Sequence, residues 1–210
     1  MDPTAFPYGY QPSAAWLADW RQHYPHWQDA PVLTLPGRLS RLKGHEDFIE
    51  LIARLRARGS SVRGLIVGGV EPRRQRYADQ LRQKVRSLGL EEVLLFTGHR
   101  NDMREIYAVS TLVLSLSAQP ESFGRTVLEA LSLGTPVVGY DHGGVGEILV
   151  RLYPAGLTPF GDLDALTARV SELLTTAPLV PPEPVFPLRR MLDETLALYE
   201  SLHPAPRSLA

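Results

Sequence analysis

The sequence predicts an α/β fold in which a doubly wound parallel sheet of about six strands carries helices on both faces. Short apolar segments alternate with longer amphipathic segments, and each apolar segment ends in a polar or glycine-containing loop. Continuously apolar strands are typical of a parallel sheet that is covered on both sides. The 210 residues, 44% hydrophobic and 21% charged, suffice for one large domain or two small ones.

The elements follow one another in a regular order. The strands are predicted at Val32–Leu35, Gly64–Val67, Val93–Phe96, Leu112–Leu116, Pro136–Tyr140 and Gly156–Thr158. The helices that follow these strands are predicted at His45–Arg58, Arg73–Ser87, Met103–Ala108, from the turn at Gly124 to Leu133, Val145–Val150 and Leu163–Leu174. In the common order 3-2-1-4-5-6, the first and fourth strands are neighbours, and ligands bind outside their carboxyl ends.

The chain divides into three predicted parts, which are an N-terminal linker with a capping helix, a Rossmann-like domain, and a proline-rich connector with a final helix. These parts span residues 1–30, 31–178 and 179–210. In the first part, Trp16 and Trp20 share one face of the predicted helix Ser13–His23, which favours packing against the core over a ligand role. The final helix is predicted at Leu188–Leu202.

Composition excludes several classes of function. The net charge is −1 and the pI is near 6.6, so no basic surface indicates binding of nucleic acid. The absence of cysteine excludes disulfides and thiolate metal sites, and no metal-binding spacing of histidines occurs. No apolar run reaches the ~18 residues of a membrane span and no signal peptide is evident, which predicts a cytoplasmic protein. Dinucleotide, P-loop and hydrolase motifs are missing.

The segment from Ser115 to Gly134 carries the strongest functional pattern. It combines a strand end, a polar loop and a helix whose N-terminus offers N–H groups and a positive dipole end to a phosphate. Glu129 lies beyond Gly124 by roughly 7.5 Å at ~1.5 Å per residue, about the reach from a diphosphate to a ribose. Glu121 would then face the other end of the diphosphate. The spacing predicts a clamp for a nucleotide sugar.

Other interpretations of this segment stay open at this point. Ser122 is predicted to cap the helix, and capping can coexist with ligand contact. Glu129 stands among apolar neighbours, where a charge requires a partner such as ribose hydroxyls, but it could also face solvent. The two carboxylates could form a retaining-hydrolase dyad, although one of them lies beside a phosphate-binding helix end.

Polar loops follow other strands as well. Arg38 and Lys43 lie on the loop after the first strand, where they could neutralise a leaving diphosphate or form a solvated surface. The loop after the third strand could present its backbone to a base, although a surface position is favoured for the histidine; its residues are Gly98, His99 and Arg100. After the fifth strand, the pair Gly143-Gly144 with Glu147 indicates a tight turn or a ligand contact.

Taken in order, these motifs resemble the C-terminal, donor-binding half of retaining GT-B glycosyltransferases, family 4 (glycosyl transferases group 1). The matching pieces are Gly37–Gly44, Gly68-Gly69, Thr97–Arg100, Pro120–Gly139, Gly143–Glu147 and Phe160–Asp162. The fourth piece contains the E-x7-E motif of that family with its usual sequel, and it is specific. The pieces cover most of residues 32–175, and Asp2-Pro3 with Phe6 resembles the segment that follows the interdomain linker.

The resemblance implies a role for each residue of the site. Glu121, the catalytic position, would bind hydroxyls of the transferred sugar near the reacting carbon, and Glu129 would bind the ribose hydroxyls. The donor diphosphate would be bound by Arg38, Lys43, Phe123, Gly124 and Arg125. The sugar would also contact Ser122, Phe123 and Gly124, and the base would lie near Gly98, His99 and Arg100. The resemblance further implies transfer with retention, attack from the leaving-group face, and no metal or other cofactor.

A complete enzyme of this kind has an N-terminal domain that carries the acceptor site, and nothing in this sequence corresponds to it. We therefore expect this chain to bind a nucleotide sugar weakly and to transfer nothing alone. The acceptor would be a cell-surface glycan or lipopolysaccharide, with membrane contact through the missing domain at the inner face. The final helix would expose an apolar face without that domain. A nucleotide-sugar 2-epimerase, which lacks convincing acid/base residues here, and a non-catalytic binding module are the alternatives.

Overall fold

The structure is a computed structural model that describes residues 4–27, 29–176, 179–182 and 188–202. The strands of this part of the chain are β1 (Val32–Pro36), β2 (Arg63–Val67), β3 (Leu94–Gly98), β4 (Leu112–Ser115), β5 (Val137–Tyr140) and β6 (Leu157–Thr158). The helices are α1 (Ala14–His23), α2 (His45–Ala57), α3 (Gln75–Ser87), α4 (Met103–Val109), α5 (Arg125–Leu133), α6 (Gly143–Leu152), α7 (Leu163–Thr176) and α8 (Leu188–Leu202). Short 3₁₀ turns lie at Pro25–Trp27, Pro72–Arg74 and Pro154–Gly156.

The six strands form one parallel sheet in the order β3-β2-β1-β4-β5-β6. Strand β1 pairs with β2 on one side, with Val32 opposite Arg63, and with β4 on the other, with Leu33 opposite Leu112. The predicted doubly wound fold and strand order are therefore confirmed, and β1 and β4 are neighbours at the switch point.

Helices cover both faces of the sheet, as apolar parallel strands require. Helix α2 packs against α3 and α7, and helix α5 packs against α4 and α6. Each face of the sheet has its own apolar cluster, as the alternating side chains of β2 show. Ile66 belongs to the larger cluster, whereas Leu65 and Val67 belong to a second cluster with Trp20 and Trp27. The packing on both faces thus fixes the carboxyl ends of the strands and the starting points of the loops that follow them.

The N-terminal helix packs on the domain as predicted. The rings of Trp16 and Trp20 stack with centroids 5.1 Å apart, and Trp20 is buried. The indole N–H of Trp16 donates to Asp102 over 2.8 Å, and the Ser13 hydroxyl caps the helix. Of the segment that resembles the end of the interdomain linker, Phe6 packs on the core, whereas Asp2 and Pro3 lie outside the described residues.

Helix α8 exposes its apolar side chains, which agrees with the expectation for this helix. Its exposed hydrophobic residues are Met191, Leu192, Leu196, Leu198, Tyr199 and Leu202. Of the predicted proline-rich connector, residues 178 and 183–187 lie outside the described part of the chain. The predicted division at residues 30 and 178 stays a prediction. No helix in the described ranges combines the length and apolarity that a bilayer span requires.

Helix α6 begins earlier than the sequence predicts, at Gly143 instead of Val145. Two adjacent glycines do not predict a helix, because glycine is a poor helix former. Here the first turn accommodates them, since Gly143 adopts a φ of +55° directly after the loop. The remaining element boundaries lie within a few residues of their predictions.

Candidate functional site

The loops after β1 and β4 meet at the carboxyl edge of the sheet. The backbone N–H of Ala118 donates to the carbonyl of Leu42 over 2.9 Å, which joins the two loops directly. Gly44 adopts a φ of +70°, and a Cβ atom there would lie 2.0 Å from the carbonyl oxygen of Leu116. Only glycine fits this close approach. The topology therefore brings together the two polar loops that the sequence analysis singled out.

Lys43 and Glu121 form the centre of this junction. The Lys43 Nζ atom donates to the Glu121 carboxylate over 2.8 Å, and both side chains are partly buried. The hydroxyl of Ser117, two residues after the end of β4, also donates to that carboxylate. Residues from two different loops thus hold one carboxylate in a fixed position beside a cation.

The environment keeps Glu121 ionised. Burial raises the pKa of the Glu121 carboxyl, but the hydrogen bonds from Lys43 and Ser117 lower it by more, so the pKa lies below its ordinary value. At neutral pH the site therefore offers a carboxylate that accepts hydrogen bonds, and not an acid that donates a proton.

The N-terminus of α5 opens beside this pair without a side-chain cap. Gly124 is the N-cap residue, with a φ of +79°, and no side chain of the described residues caps the helix. The predicted capping by Ser122 is wrong, because the left-handed backbone at Gly124 starts the helix two residues later. Ser122 and Phe123 are exposed at the mouth of the site. The first N–H groups of α5 therefore face the same edge as Glu121.

The N-terminus of α6 packs directly against this loop. The N–H of Gly144 donates to the carbonyl of Glu121 over 2.7 Å, and a Cβ atom at Gly144 would lie 2.8 Å from the backbone of Phe123. The side chain of Glu147 is exposed. The pair Gly143-Gly144 thus lets two backbone segments approach closely, which supports the tight-turn interpretation. The same contact fixes the position of the loop from Glu121 to Phe123.

Glu129 is buried on α5, so a solvent-facing position is excluded. Its carboxylate pairs with the exposed Arg125 guanidinium at 3.1 Å and accepts a hydrogen bond from the Tyr107 hydroxyl at 3.1 Å. The expectation that this charge requires a partner is met by two side chains of the protein itself. Contact of Glu129 with ribose hydroxyls stays a prediction. Burial raises the pKa of Glu129, against the opposing effects of Arg125 and Tyr107.

Arg38 and Lys43 lie on the same loop, but they make different contacts. The Arg38 guanidinium forms an ion pair with Glu71, which follows β2, and about three quarters of its side chain (74%) is exposed. The side chain of Lys43 instead lies against Gly37 and reaches Glu121. The structure therefore places Lys43 at the junction with Glu121 and Arg38 at its outer edge.

The loop after β3 is engaged in contacts of its own. Arg100 forms a two-pronged pair with the carboxylate of Asp102, at 2.8 and 2.6 Å, and Asp102 also accepts from Trp16. His99 is exposed and lies 3.0 Å from the side chain of Asn101. Space is open around Gly98, where a Cβ atom would meet nothing within 4 Å. Contact of this loop with a base stays a prediction.

His45 supports the loop that carries Lys43 from below. It begins α2, is fully buried, and its Nδ1 atom lies 3.2 Å from the carbonyl oxygen of Ser40. A carbonyl oxygen can only accept, so we assign the proton to Nδ1. Burial lowers the pKa of His45, since the charged form is poorly solvated there. The imidazole is neutral in the folded protein.

This burial predicts a pH dependence of stability. The pKa of His45 in the folded protein lies below its unfolded value of about 6.5. The contribution of the neutral imidazole to the free energy of unfolding is therefore complete above that pH, and it is lost as the pH falls towards the folded pKa. The loss has a slope of at most about 1.4 kcal/mol per pH unit. We expect denaturant titrations at pH 7.5 and 5.5 to show this loss in the wild type and a smaller one in His45→Asn.

The exposed His99 provides the control for this experiment. His99→Asn removes a histidine without touching a buried group, so it should keep the pH dependence of the wild type. An unchanged dependence in His45→Asn would show that His45 is not the group responsible.

Three residues of this site were not found by sequence reasoning. Ser117 and Tyr107 donate to the two glutamates, and Glu71 pairs with Arg38. The last two come from elements distant in sequence, and no local pattern indicates them. A signal did exist for a partner of Glu129, because Arg125 precedes it by one helical turn.

Metal ligands do not cluster in the part of the chain that the structure describes: no group of at least three His, Cys, Asp or Glu side chains is placed to hold an ion. The expectation of a donor site without a metal or other cofactor stays a prediction.

Comparison with solved structures shows which class of fold this chain has. A glycosyltransferase from Rickettsia africae has the same fold, with a TM-score of 0.83 and 20% identity, over 96% of this chain and 55% of that one. HepE of Anabaena, solved in complex with UDP and glucose, has a TM-score of 0.74 and 28% identity, over 84% of this chain and 46% of that one. The C-terminal domain of LpcC from Francisella tularensis has a TM-score of 0.67 and 21% identity, and the match covers 84% of this chain and 89% of that domain. The chain is an α/β domain of the GT-B type.

Sequence similarity identifies the family. Residues 18–183 match the family of glycosyl transferases group 1. The chain is 34% identical over 150 residues to 2-deoxystreptamine N-acetyl-D-glucosaminyltransferase from Streptomyces fradiae, and this match covers 70% of the chain and 34% of that relative. The chain belongs to glycosyl transferases group 1. It spans about a third of the length of that curated relative.

Proposed function

We propose that this chain is the nucleotide-sugar-binding half of a retaining glycosyltransferase of family 4. The observation that carries the proposal is the meeting of the Lys43–Glu121 pair with the uncapped N-terminus of α5, on the helix that also holds Glu129. The cation and the helix dipole suit the anionic diphosphate of a nucleotide sugar, and the two carboxylates suit hydroxyl groups of its sugar and its ribose.

In this proposal, the diphosphate lies between Lys43 and the first N–H groups of α5, those of Gly124 and Arg125. Arg38 lies at the outer edge and can reach the diphosphate by leaving Glu71. The exposed Arg125 pairs with Glu129 without a donor, and it can turn to a phosphate when ribose hydroxyls take its place on that carboxylate. Helix dipole and cations together offset the negative charge that develops on the leaving group.

The sugar occupies the side of the diphosphate that faces Glu121, bounded by Ser122, Phe123 and Gly124. Because the pKa of Glu121 is lowered, its carboxylate accepts hydrogen bonds from sugar hydroxyls and positions the anomeric carbon. In the transfer, the bond from that carbon to the diphosphate breaks and a bond to the acceptor oxygen forms on the same face. The nucleoside diphosphate leaves, and the proton of the acceptor moves to it.

The acceptor belongs to another part of the enzyme in this proposal. The match to a solved C-terminal domain, and the partial coverage of longer relatives, support a chain that works with a second domain. A surface glycan or lipopolysaccharide as acceptor, a cytoplasmic location and peripheral membrane contact remain predictions. Family membership does not favour the 2-epimerase alternative.

Calorimetric titration with UDP-, GDP- and ADP-sugars tests the proposal. UDP-glucose is the first donor to test, because HepE was solved with UDP and glucose. We expect one member of the panel to bind the isolated chain with a Kd in the millimolar to micromolar range, without measurable transfer. Binding by none of the panel would favour a scaffold role, and rapid turnover by the chain alone would contradict the need for a second domain.

A further inference from the structure

An arginine-lined groove lies outside the donor site. It has a volume of about 540 Å³, within the ~300–1,000 Å³ range of small-molecule sites. One wall is the loop from Ser40 to Leu42, and the other is the start of α3 with the 3₁₀ turn before it. Its lining residues are Ser40, Arg41, Leu42, Arg73, Arg74, Arg76, Tyr77 and Gln80.

The charge balance of this groove is strongly positive. Two of its arginines have acidic neighbours, since Arg41 lies 3.8 Å from Glu46 and Arg74 lies 3.0 Å from Glu71. Arg73 and Arg76 are exposed and have no ion pair among the described residues. The groove therefore holds two guanidinium groups whose charge the described residues do not offset.

The positions of Arg73 and Arg76 are electrostatically unfavourable when no anion is bound. The first turn of α3 contains no acidic residue, although the N-terminal end of a helix favours negative charge. Arg73 and Arg76 flank this end and add positive charge to it. A bound anion would reverse that repulsion, and arginine is the side chain best suited to pair with phosphate oxygens.

Side-chain contacts hold the walls of the groove in place. The Arg41 guanidinium lies over the Tyr77 ring, 4.9 Å from its centroid, and donates to the Gln80 side chain over 2.9 Å. Tyr77 is itself held by a hydrogen bond to Glu46 at 2.5 Å. A concave site with fixed walls fits a small anion better than a flat lipid surface. Neither Lys43 nor Glu121 lines this groove.

We propose that this groove binds a phosphate monoester, with Arg73 and Arg76 contacting the phosphate. This inference goes beyond the proposed function, because the site is distinct from the one for the nucleotide sugar and does not depend on it. The shared chemistry is the dianionic phosphate group, carried by a sugar phosphate or free in solution.

Calorimetry with glucose 6-phosphate, inorganic phosphate and glucose tests the inference on the full chain at ~0.15 M salt. We expect binding of glucose 6-phosphate or of both anions, no binding of glucose, and a loss of roughly tenfold or more in Arg73→Ala/Arg76→Ala. Tighter binding of glucose 6-phosphate than of phosphate would identify a sugar phosphate, and equal affinities would identify the free anion.

The matched control is Arg58→Ala/Arg86→Ala, which removes two exposed arginines outside the groove. It should bind the phosphate probes as the wild type does, and UDP-glucose should titrate equally into both double variants. An equal loss in the control, or a loss in Lys43→Ala but not in Arg73→Ala/Arg76→Ala, would contradict the proposal. So would binding to vesicles of anionic lipid without binding of either phosphate probe.

Discussion

Replacing Glu129 by alanine is expected to weaken binding of the nucleotide donor by about 30- to 100-fold, equivalent to about 2–3 kcal/mol. The reason is that this buried carboxylate would accept hydrogen bonds from two ribose hydroxyls in the proposed complex. Calorimetric titration of UDP, or of whichever nucleotide binds the wild type, into Glu129→Ala measures the effect.

A deoxyribose analogue makes this prediction specific. The wild type should bind 2′-deoxy-UDP more weakly than UDP, and Glu129→Ala should bind both with similar affinity, because the group that distinguishes them is gone. The matched control is Tyr107→Phe, which removes the hydrogen bond to Glu129 but keeps the carboxylate. Continued discrimination between the two nucleotides by Glu129→Ala would refute the assignment of the ribose site.

Replacing Lys43 by alanine is the second change with a large expected effect. In the proposed site it removes the cation that would face the diphosphate. Among the described residues it leaves the partly buried Glu121 with only the Ser117 hydroxyl as a side-chain hydrogen-bond partner. We expect affinity for UDP to fall by about 10- to 100-fold, whereas affinity for UMP falls less. The pKa of Glu121 should also rise, because the hydrogen bond and the positive charge of Lys43, which both lower it, are lost.

Lys43→Arg is the control for charge. It should keep most of the affinity for the diphosphate, although the planar guanidinium does not reproduce the ammonium geometry at Glu121. Equal losses for UDP and UMP in Lys43→Ala would indicate a general effect on the loop, and would argue against a direct contact with the second phosphate.

The convergence of the two central loops could be predicted from sequence because it follows from topology. Once apolar strands alternate with helices, right-handed crossovers restrict the strand order, and in the common order 3-2-1-4-5-6, which the structure has, β1 and β4 are neighbours. The loop chemistry then places Lys43 and Glu121 at one edge. The E-x7-E spacing indicated Glu121 and Glu129 as candidate site residues without any structural information, and their roles stay predictions.

Tertiary contacts could not be predicted in the same way. The sequence suggested Ser122 as the helix cap, but the close packing of α6 on the loop leaves Gly124 in the left-handed conformation that starts α5. It suggested an isolated Glu129, but Tyr107 reaches it from α4. The contact of Arg38 with Glu71 likewise depends on the path of a loop after another strand.

A crystal structure of this chain with bound UDP-glucose would show which residues hold each part of the donor. We expect the diphosphate between Lys43 and the N-terminus of α5, the ribose hydroxyls on Glu129, and the glucose hydroxyls on Glu121. A nucleotide bound elsewhere on the sheet edge, or a ribose directed away from Glu129, would contradict this assignment.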